Sequence, residues 1–227
     1  MEDGKSHIPR QAEAEPMDLA EEARAYAVAD FSDVNEAFVE RLAELVGPLE
    51  RATAIDLGTG PGDIPVRVVR RYPGWRVVAV DLSEAMLGHA RRTIEDAALT
   101  GAIHLVLQDA KGAPFRNGAF DVVFSNSILH HISDTQALWG EVRRLGRSRA
   151  WVLLRDLARP GSPAAAAAIV QEYAGRESVL LQEEFYRSLL AAYTPDEVRE
   201  QLREAGLERL HVAMVSDRHL DVFGRLG

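Results

Sequence analysis

Residues 54–67 read AIDLGTGPGDIPVR: Asp56, then Gly58, Gly60 and Gly62 at alternate positions, then Asp63. Alternate glycines let a chain bend sharply and present bare backbone to a ligand. Such loops after a strand often cradle phosphates, but the flanking carboxylates would repel one. The pattern calls for a small ligand that accepts bare backbone and carboxylates together. A second acid, Asp81 in VVAVDLSEAML, follows 25 positions after Asp56. At the end of a strand it can accept hydrogen bonds from both hydroxyls of a ribose. A third, Asp109 in LQDAKGAPF, closes a further apolar run. Then comes FDVVFSNSILHHI, with Ser125 and Asn126 at the ligand end and His130 and His131 behind them. Histidine titrates near neutrality, so either could act as a general base. Adjacent histidines are expected to point in different directions, and no third ligand is evident, so no metal site is expected.

Each piece has a plainer reading. The glycines could form a structural turn. Asp81 could cap a helix, although Ser83 is better placed to do so. One histidine could only fasten its loop. Asp121 starts its strand at the far end of the sheet and is expected to serve structure, and Phe115 is expected to pack as core.

The elements that must position these residues follow from periodicity. Short apolar runs at 53–58, 76–82, 103–109, 120–126 and 150–156 alternate with helical patterns at 64–71, 84–98 and 134–145. Nearly continuous apolar strands are covered on both faces. Strand–helix alternation implies a parallel sheet with right-handed crossovers. The link AKGAPFRNGA is too short and too rich in Gly and Pro for a long helix. Helices are also expected at 162–175 and 179–193, and a third is capped by Thr194 with Glu197 and ends at Gly206, before a terminal pair of strands. Ahead of the sheet two helices are expected, one capped by Asp18 with Glu21, the other by Ser32 or Asp33 and ended by Gly47-Pro48. Residues 1–16 read as a flexible tail.

The chain has 227 residues, 47% hydrophobic and 27% charged, with a formal net charge of −9 and no cysteine. That excludes disulfides, thiolate zinc sites and cysteine nucleophiles. The negative charge disfavours nucleic acid as a partner. No apolar run is long enough for a bilayer, so no membrane partner is expected. The start lacks an apolar signal core, so a cytoplasmic location is expected.

The NAD-type fingerprint GxGxxG does not fit, because the third glycine comes one place early and Asp63 stands where small packing is needed. Taken together and in order, the acid-glycine loop, Asp81, Asp109 and the SNSILHHI loop instead resemble the class I S-adenosylmethionine-dependent methyltransferases, small-molecule branch, as in ubiquinone/menaquinone biosynthesis. The resemblance covers roughly residues 50–160. It implies a Rossmann-like, doubly wound, seven-stranded α/β sheet, mostly parallel with an antiparallel C-terminal strand. It implies a domain over 17–227, with an N-terminal helical cap at 17–48 and a helical insertion or lid at 162–193. The cofactor would be S-adenosylmethionine, a nucleoside with a sulfonium, an ammonium and no phosphate. Asp56, Gly58, Thr59, Gly60 and Gly62 would hold its amino-acid end. Asp81 would take the ribose and Leu82 and Met86 would flank the adenine. Asp109 would take its exocyclic amine, Ala110 a ring nitrogen, and Asn126 would close the site.

His130 is the candidate base. The acceptor would be a small molecule, met by Tyr26, His130, Arg155, Tyr186 and Tyr193. Tyr186 and Tyr193 are seven apart and are expected to share a helix face. Arg155 could bind an anionic group or pair with Asp156. Nucleic-acid amino-methylation is demoted, because SNSI replaces the Asp/Asn-Pro-Pro-aromatic motif. Arsenite methylation is demoted for want of cysteine. A non-catalytic cofactor-binding module and a nicotinamide-dependent dehydrogenase are the alternatives.

Overall fold

A computed structural model of the chain describes residues 8–13 and 31–227. Seven strands form one sheet: β1 Thr53–Leu57, β2 Arg76–Asp81, β3 Ile103–Leu107, β4 Phe120–Asn126, β5 Gly146–Leu157, β6 His211–Met214 and β7 His219–Arg225. Their order is β3-β2-β1-β4-β5-β7-β6. β1 to β5 run parallel, and β7 is antiparallel to both β5 and β6. The apolar runs become strands because helices cover both faces. Successive side chains of a strand point to opposite faces. Ile55 and Leu57 therefore join one core with Trp139 and Val142. Ala54 joins the other with Phe38, Val68 and Trp75.

The helices among the described residues are α1 Ser32–Val46, α2 Asp63–Arg71, α3 Glu84–Asp96, α4 Thr135–Leu145, α5 Pro163–Ala174, α6 Val179–Ala191 and α7 Pro195–Glu204. Helices α1 to α3 supply one layer, α4 and α7 the other. Thr194 and Glu197 form the expected capping box of α7, and the Ser83 hydroxyl caps α3. No helix spans the link from 110 to 119. The strand order reverses where β1 lies between β2 and β4. That is the switch point at which open α/β sheets bind ligands, beyond the carboxyl ends of the strands.

Several boundaries differ from expectation. The cap of α1 is Phe31 without a side-chain hydrogen bond, so Ser32 and Asp33 lie inside the first turn. β5 begins at Gly146, where the pairing with β4 shifts register between Phe120 and Val122. Residues 8–13 are not a free tail. The Gln11 amide donates to the Leu190 carbonyl at 3.1 Å, Arg10 Nε donates to the Ala191 carbonyl at 2.6 Å, and Ile8 packs on the α5–α6 core. Asp18, Glu21 and Tyr26 lie outside the described residues.

Candidate active site

A cavity of about 630 Å³ opens at the switch point, within the range of small-molecule sites. Its floor is the loop between β1 and α2. Gly60, at φ +55°, has nothing within 4 Å of where a side chain would start, so its backbone stands open. Gly58, at φ +74°, lets the Ile128 side chain approach too closely for any Cβ. Both line the cavity, with Thr59 between them. Gly62 does not. It caps α2 at φ +84° and faces Ala90 of α3, whose Cβ would be 3.0 Å from a Cβ at this position. The third glycine thus packs helix on helix, the task of the last glycine in dinucleotide loops, although it comes one place early. Asp63 is turned away from that contact and holds Asn35 of α1 at 2.8 Å and Arg67 at 2.6 Å.

Asp56 ends β1 on this cavity, 2% exposed, and its Oδ2 has no hydrogen-bond partner. Burial, with the neighbouring Asp81 charge adding, pushes its carboxyl up to about 7. An orphan buried carboxylate oxygen costs free energy unless a ligand satisfies it. Asp81 accepts from the Gly60 amide at 2.7 Å on Oδ2 and from the Ser83 amide at 2.9 Å on Oδ1. Each oxygen keeps a lone pair for a ligand hydroxyl. Burial raises Asp81 as well. Leu82, 42% exposed, and Met86 line the cavity beside it. Asp109 Oδ1 accepts from the Lys111 amide at 2.8 Å and pairs with the Lys111 ammonium at 3.1 Å. Ala110 and Asn126 complete this side.

The two histidines lie on a 3-10 turn, Leu129–His131. Their rings are close neighbours, with centroids 4.0 Å apart, so they do not diverge as expected. A third group also comes within reach: Glu13, His130 and His131 each bring one donor atom within 4.8 Å of the others. His130 is buried, and its Nδ1 lies 2.6 Å from Oδ1 of buried Asp156, at the end of β5. Asp156 also accepts from the Leu129 and Leu157 amides. Burial opposes a charge on His130, but Asp156 outweighs it and the imidazole is raised above its ordinary value. Through Asp156, His130 fastens the turn to the end of β5, and it lines the cavity. His131 is half-buried, and its Nδ1 lies 3.2 Å from Glu13 Oε2. Burial and the neighbouring His130 charge lower it.

The acceptor side differs most from expectation. Arg155 does not face the cavity. It makes a bidentate pair with Asp221 at 2.7 and 2.9 Å, both buried. Arg155 and Asp221 stand directly opposite across β5 and β7, while Asp156 points to the other face. Tyr193 lies beyond the end of α6, and its hydroxyl donates to the Ile132 carbonyl at 2.7 Å. It therefore shares no face with Tyr186, which packs on the α5–α6 core. The face of α6 that lines the cavity carries Leu181, Glu184, Phe185 and Ser188. Their spacing of 0, 3, 4 and 7 is a helical stripe legible in the sequence. Tyr173 of α5 and Arg218 add a cation–π contact at 3.2 Å on the rim.

Residues 54–148 match the family profile of a methyltransferase domain. The malonyl-[acyl-carrier protein] O-methyltransferase of Legionella pneumophila is 36% identical over 91 residues, 40% of this chain and 31% of that protein. The demethylmenaquinone methyltransferase of Thermotoga maritima is 25% identical over 179 residues, 74% of this chain and 76% of that protein. A solved S-adenosylmethionine-dependent methyltransferase of Aquifex aeolicus superposes with a TM-score of 0.67 at 18% identity, over 90% of this chain and 98% of that one. Residues 54–148 thus carry a methyltransferase domain, on a chain with the fold of S-adenosylmethionine-dependent methyltransferases. The chain spans less than half the length of several curated relatives that it matches.

The methyltransferase domain fits its cofactor on its own geometry. A sulfonium and an ammonium suit the orphan Asp56 oxygen, and the bare Gly60 backbone leaves room for the amino-acid end. The lone pairs of Asp81 suit two ribose hydroxyls. The exposed Leu82 and buried Met86 offer apolar surface to a base. Among the described residues no helix is long and apolar enough to cross a membrane.

Proposed function

We propose that the chain transfers a methyl group from S-adenosylmethionine to a small-molecule acceptor by in-line displacement. One observation carries this reading: an unpartnered, buried carboxylate oxygen of Asp56 on a cavity, beside open backbone at Gly60 and the paired lone pairs of Asp81. Asp56 and the Gly58–Gly60 backbone hold the amino-acid end. Asp81 takes the ribose, Leu82 and Met86 sandwich the adenine, and Asp109 with the Ala110 amide reads its edge. Asn126 closes the floor. Gly62 serves packing instead of contact. The cofactor supplies an electrophilic methyl on positive sulfur, and the protein supplies alignment and dryness. Such positioning contributes about 7–11 kcal/mol in favourable cases.

The acceptor lies under α5 and α6, which act as a lid with Phe185 and Leu181 facing down. Loops and lids on a rigid scaffold carry specificity. The lack of cysteine suits a reducing cytoplasm. Calorimetry with S-adenosylmethionine and, separately, NAD tests the cofactor. Release of S-adenosylhomocysteine on incubation with a metabolite extract tests turnover. Binding of the first nucleoside alone, with product release, supports the proposal; binding of NAD alone defeats it.

A further inference from the structure

We propose that Glu13, His130 and His131 form a metal site in the wall of the cavity, that it takes a divalent ion of the zinc type, and that the ion holds an oxygen-bearing acceptor. The last clause rests on the methyl-transfer reading above; the site itself does not. The sequence predicts no metal here, because adjacent histidines should diverge and no third ligand is evident. Both reasons fail in the fold. The two rings lie 4.0 Å apart between centroids, and the N-terminal segment brings the third group. One donor atom of each side chain lies within 4.8 Å of the others. His131 Nδ1 and Glu13 Oε2 are 3.2 Å apart. Two ligands with bonds of about 2.0–2.2 Å to one zinc ion sit about 2.8–3.6 Å apart, between right and tetrahedral angles. This pair is already spaced as neighbouring ligands, and an ion draws in the third donor.

The groups behind these side chains are the ones a metal site needs. A ligating imidazole nearly always donates its other ring N–H to a carboxylate or carbonyl, which fixes its tautomer. His130 Nδ1 lies 2.6 Å from Oδ1 of Asp156, which the Leu129 and Leu157 amides hold in turn. Nε2 is thus the nitrogen left for an ion. The Ser188 hydroxyl of α6 steadies the Glu13 carboxylate, nearest Oε1 at 3.2 Å. Arg10 fastens the segment by donating to the His130 carbonyl at 2.8 Å and the Ala191 carbonyl at 2.6 Å. The Glu13 side chain is only 15% exposed, and that of Asp156 only 4%. With neutral imidazoles these carboxylates leave two negative charges in the wall, and a dication offsets them.

Two histidines and a carboxylate hold zinc in catalytic sites with the remaining position open. Both histidines line the cavity, so that position faces the space for the acceptor. An alcohol, phenol or enol oxygen bound there is acidified, as zinc-bound water is. The step balances. The proton of that oxygen leaves to solvent as the oxygen binds. A lone pair of the oxygen forms a bond to the methyl carbon as the carbon–sulfur bond breaks. That electron pair stays on sulfur, leaving a neutral thioether. Zinc is redox-inert and keeps its charge throughout.

The test uses the full chain, freed of metal with a chelator and checked for fold by circular dichroism. Zinc titrated by calorimetry should bind as one equivalent with micromolar or tighter affinity. X-ray absorption of the zinc-loaded wild type should show two imidazoles together with oxygen donors. Glu13→Gln and His131→Gln should each weaken zinc more than about tenfold, and Asp156→Asn, acting from behind His130, by about 10–100-fold. His89→Gln, on α3, should leave it within twofold. For the role, chelation should lower turnover of the extract at least tenfold, and one equivalent of zinc should restore it. Affinity for S-adenosylhomocysteine should stay within twofold throughout. No zinc binding, binding that survives Glu13→Gln and His131→Gln, or an absorption spectrum with fewer than two imidazoles would overturn the site. Turnover indifferent to chelation would overturn the link between ion and acceptor. No binding of S-adenosylhomocysteine by the wild type would defeat the methyl-transfer reading instead, and the zinc titration, done without cofactor, still decides the site.

Discussion

Binding of the cofactor should release a proton from Asp56. The carboxyl, buried and orphaned at the end of β1, has been pushed up to about 7. A sulfonium or ammonium placed against it favours the ionised form and lowers it again. The sign follows. Below pH 7 the free protein holds a proton that the complex does not, so affinity rises with pH and levels off above 7. With a bound-state value well below 6, about 0.9 proton is released at pH 6 and about 0.1 at pH 8, and the association constant rises about tenfold between them, or about 1.4 kcal/mol. Asp81, raised in the same direction, adds to the slope. Calorimetry of S-adenosylmethionine in buffers of different ionisation enthalpy counts the protons directly. Asp56→Asn in the same series removes the ligand's own titration from the comparison. The same shift has a second consequence. A carboxyl raised in the folded state costs stability above its ordinary value near 3.8, fully so once pH passes 7. Asp56→Asn should therefore raise Tm at pH 8 relative to pH 5 while weakening cofactor binding. A proton count near zero at pH 6, with pH-independent affinity, would refute the reasoning.

Asp81→Ala should weaken S-adenosylmethionine binding more than tenfold by calorimetry, since two ribose hydroxyls lose their acceptor. Gly62→Val should cost about 2–4 kcal/mol, because φ is +84° and Ala90 blocks a side chain; a thermal melt reads this as a Tm lower by about 5–15 °C. Asp221→Ala should destabilise by about 3–5 kcal/mol in urea unfolding, since it strands the Arg155 guanidinium in the interior. Phe185→Ala should change extract turnover while leaving S-adenosylhomocysteine affinity within twofold, and equal loss of both would mean that α6 serves structure alone.

The carboxylates that line the cavity were legible because buried parallel strands are written as unbroken apolar runs. An acid that ends such a run stands out. Asp56, Asp81 and Asp109 could be found this way, and the glycine loop marked the first of them. The surroundings of Arg155, Tyr193 and His131 depend on contacts between segments far apart in sequence. Arg155 reads as a cation open to a substrate anion or to Asp156 until the β5–β7 register sets Asp221 across from it. Tyr193 looks in phase with Tyr186 only if α6 continues, and it stops at Ala191. The α6 stripe from Leu181 to Ser188 had the right spacing but was masked by more conspicuous tyrosines. Nothing local to Glu13 marks it as a partner of His131. Its segment reads as polar tail, and its place is fixed by backbone bonds to Leu190 and Ala191.

The central claim is that carboxylates at the ends of neighbouring strands grip a cationic nucleoside. Its most direct measurement is the stoichiometry and affinity of S-adenosylmethionine for the purified chain at pH 8, set against NAD at the same concentration. The account expects one equivalent bound, lost in Asp81→Ala, and no heat from NAD. A folded chain that gives no heat with S-adenosylmethionine, or an Asp81→Ala variant that binds it unchanged, would contradict it.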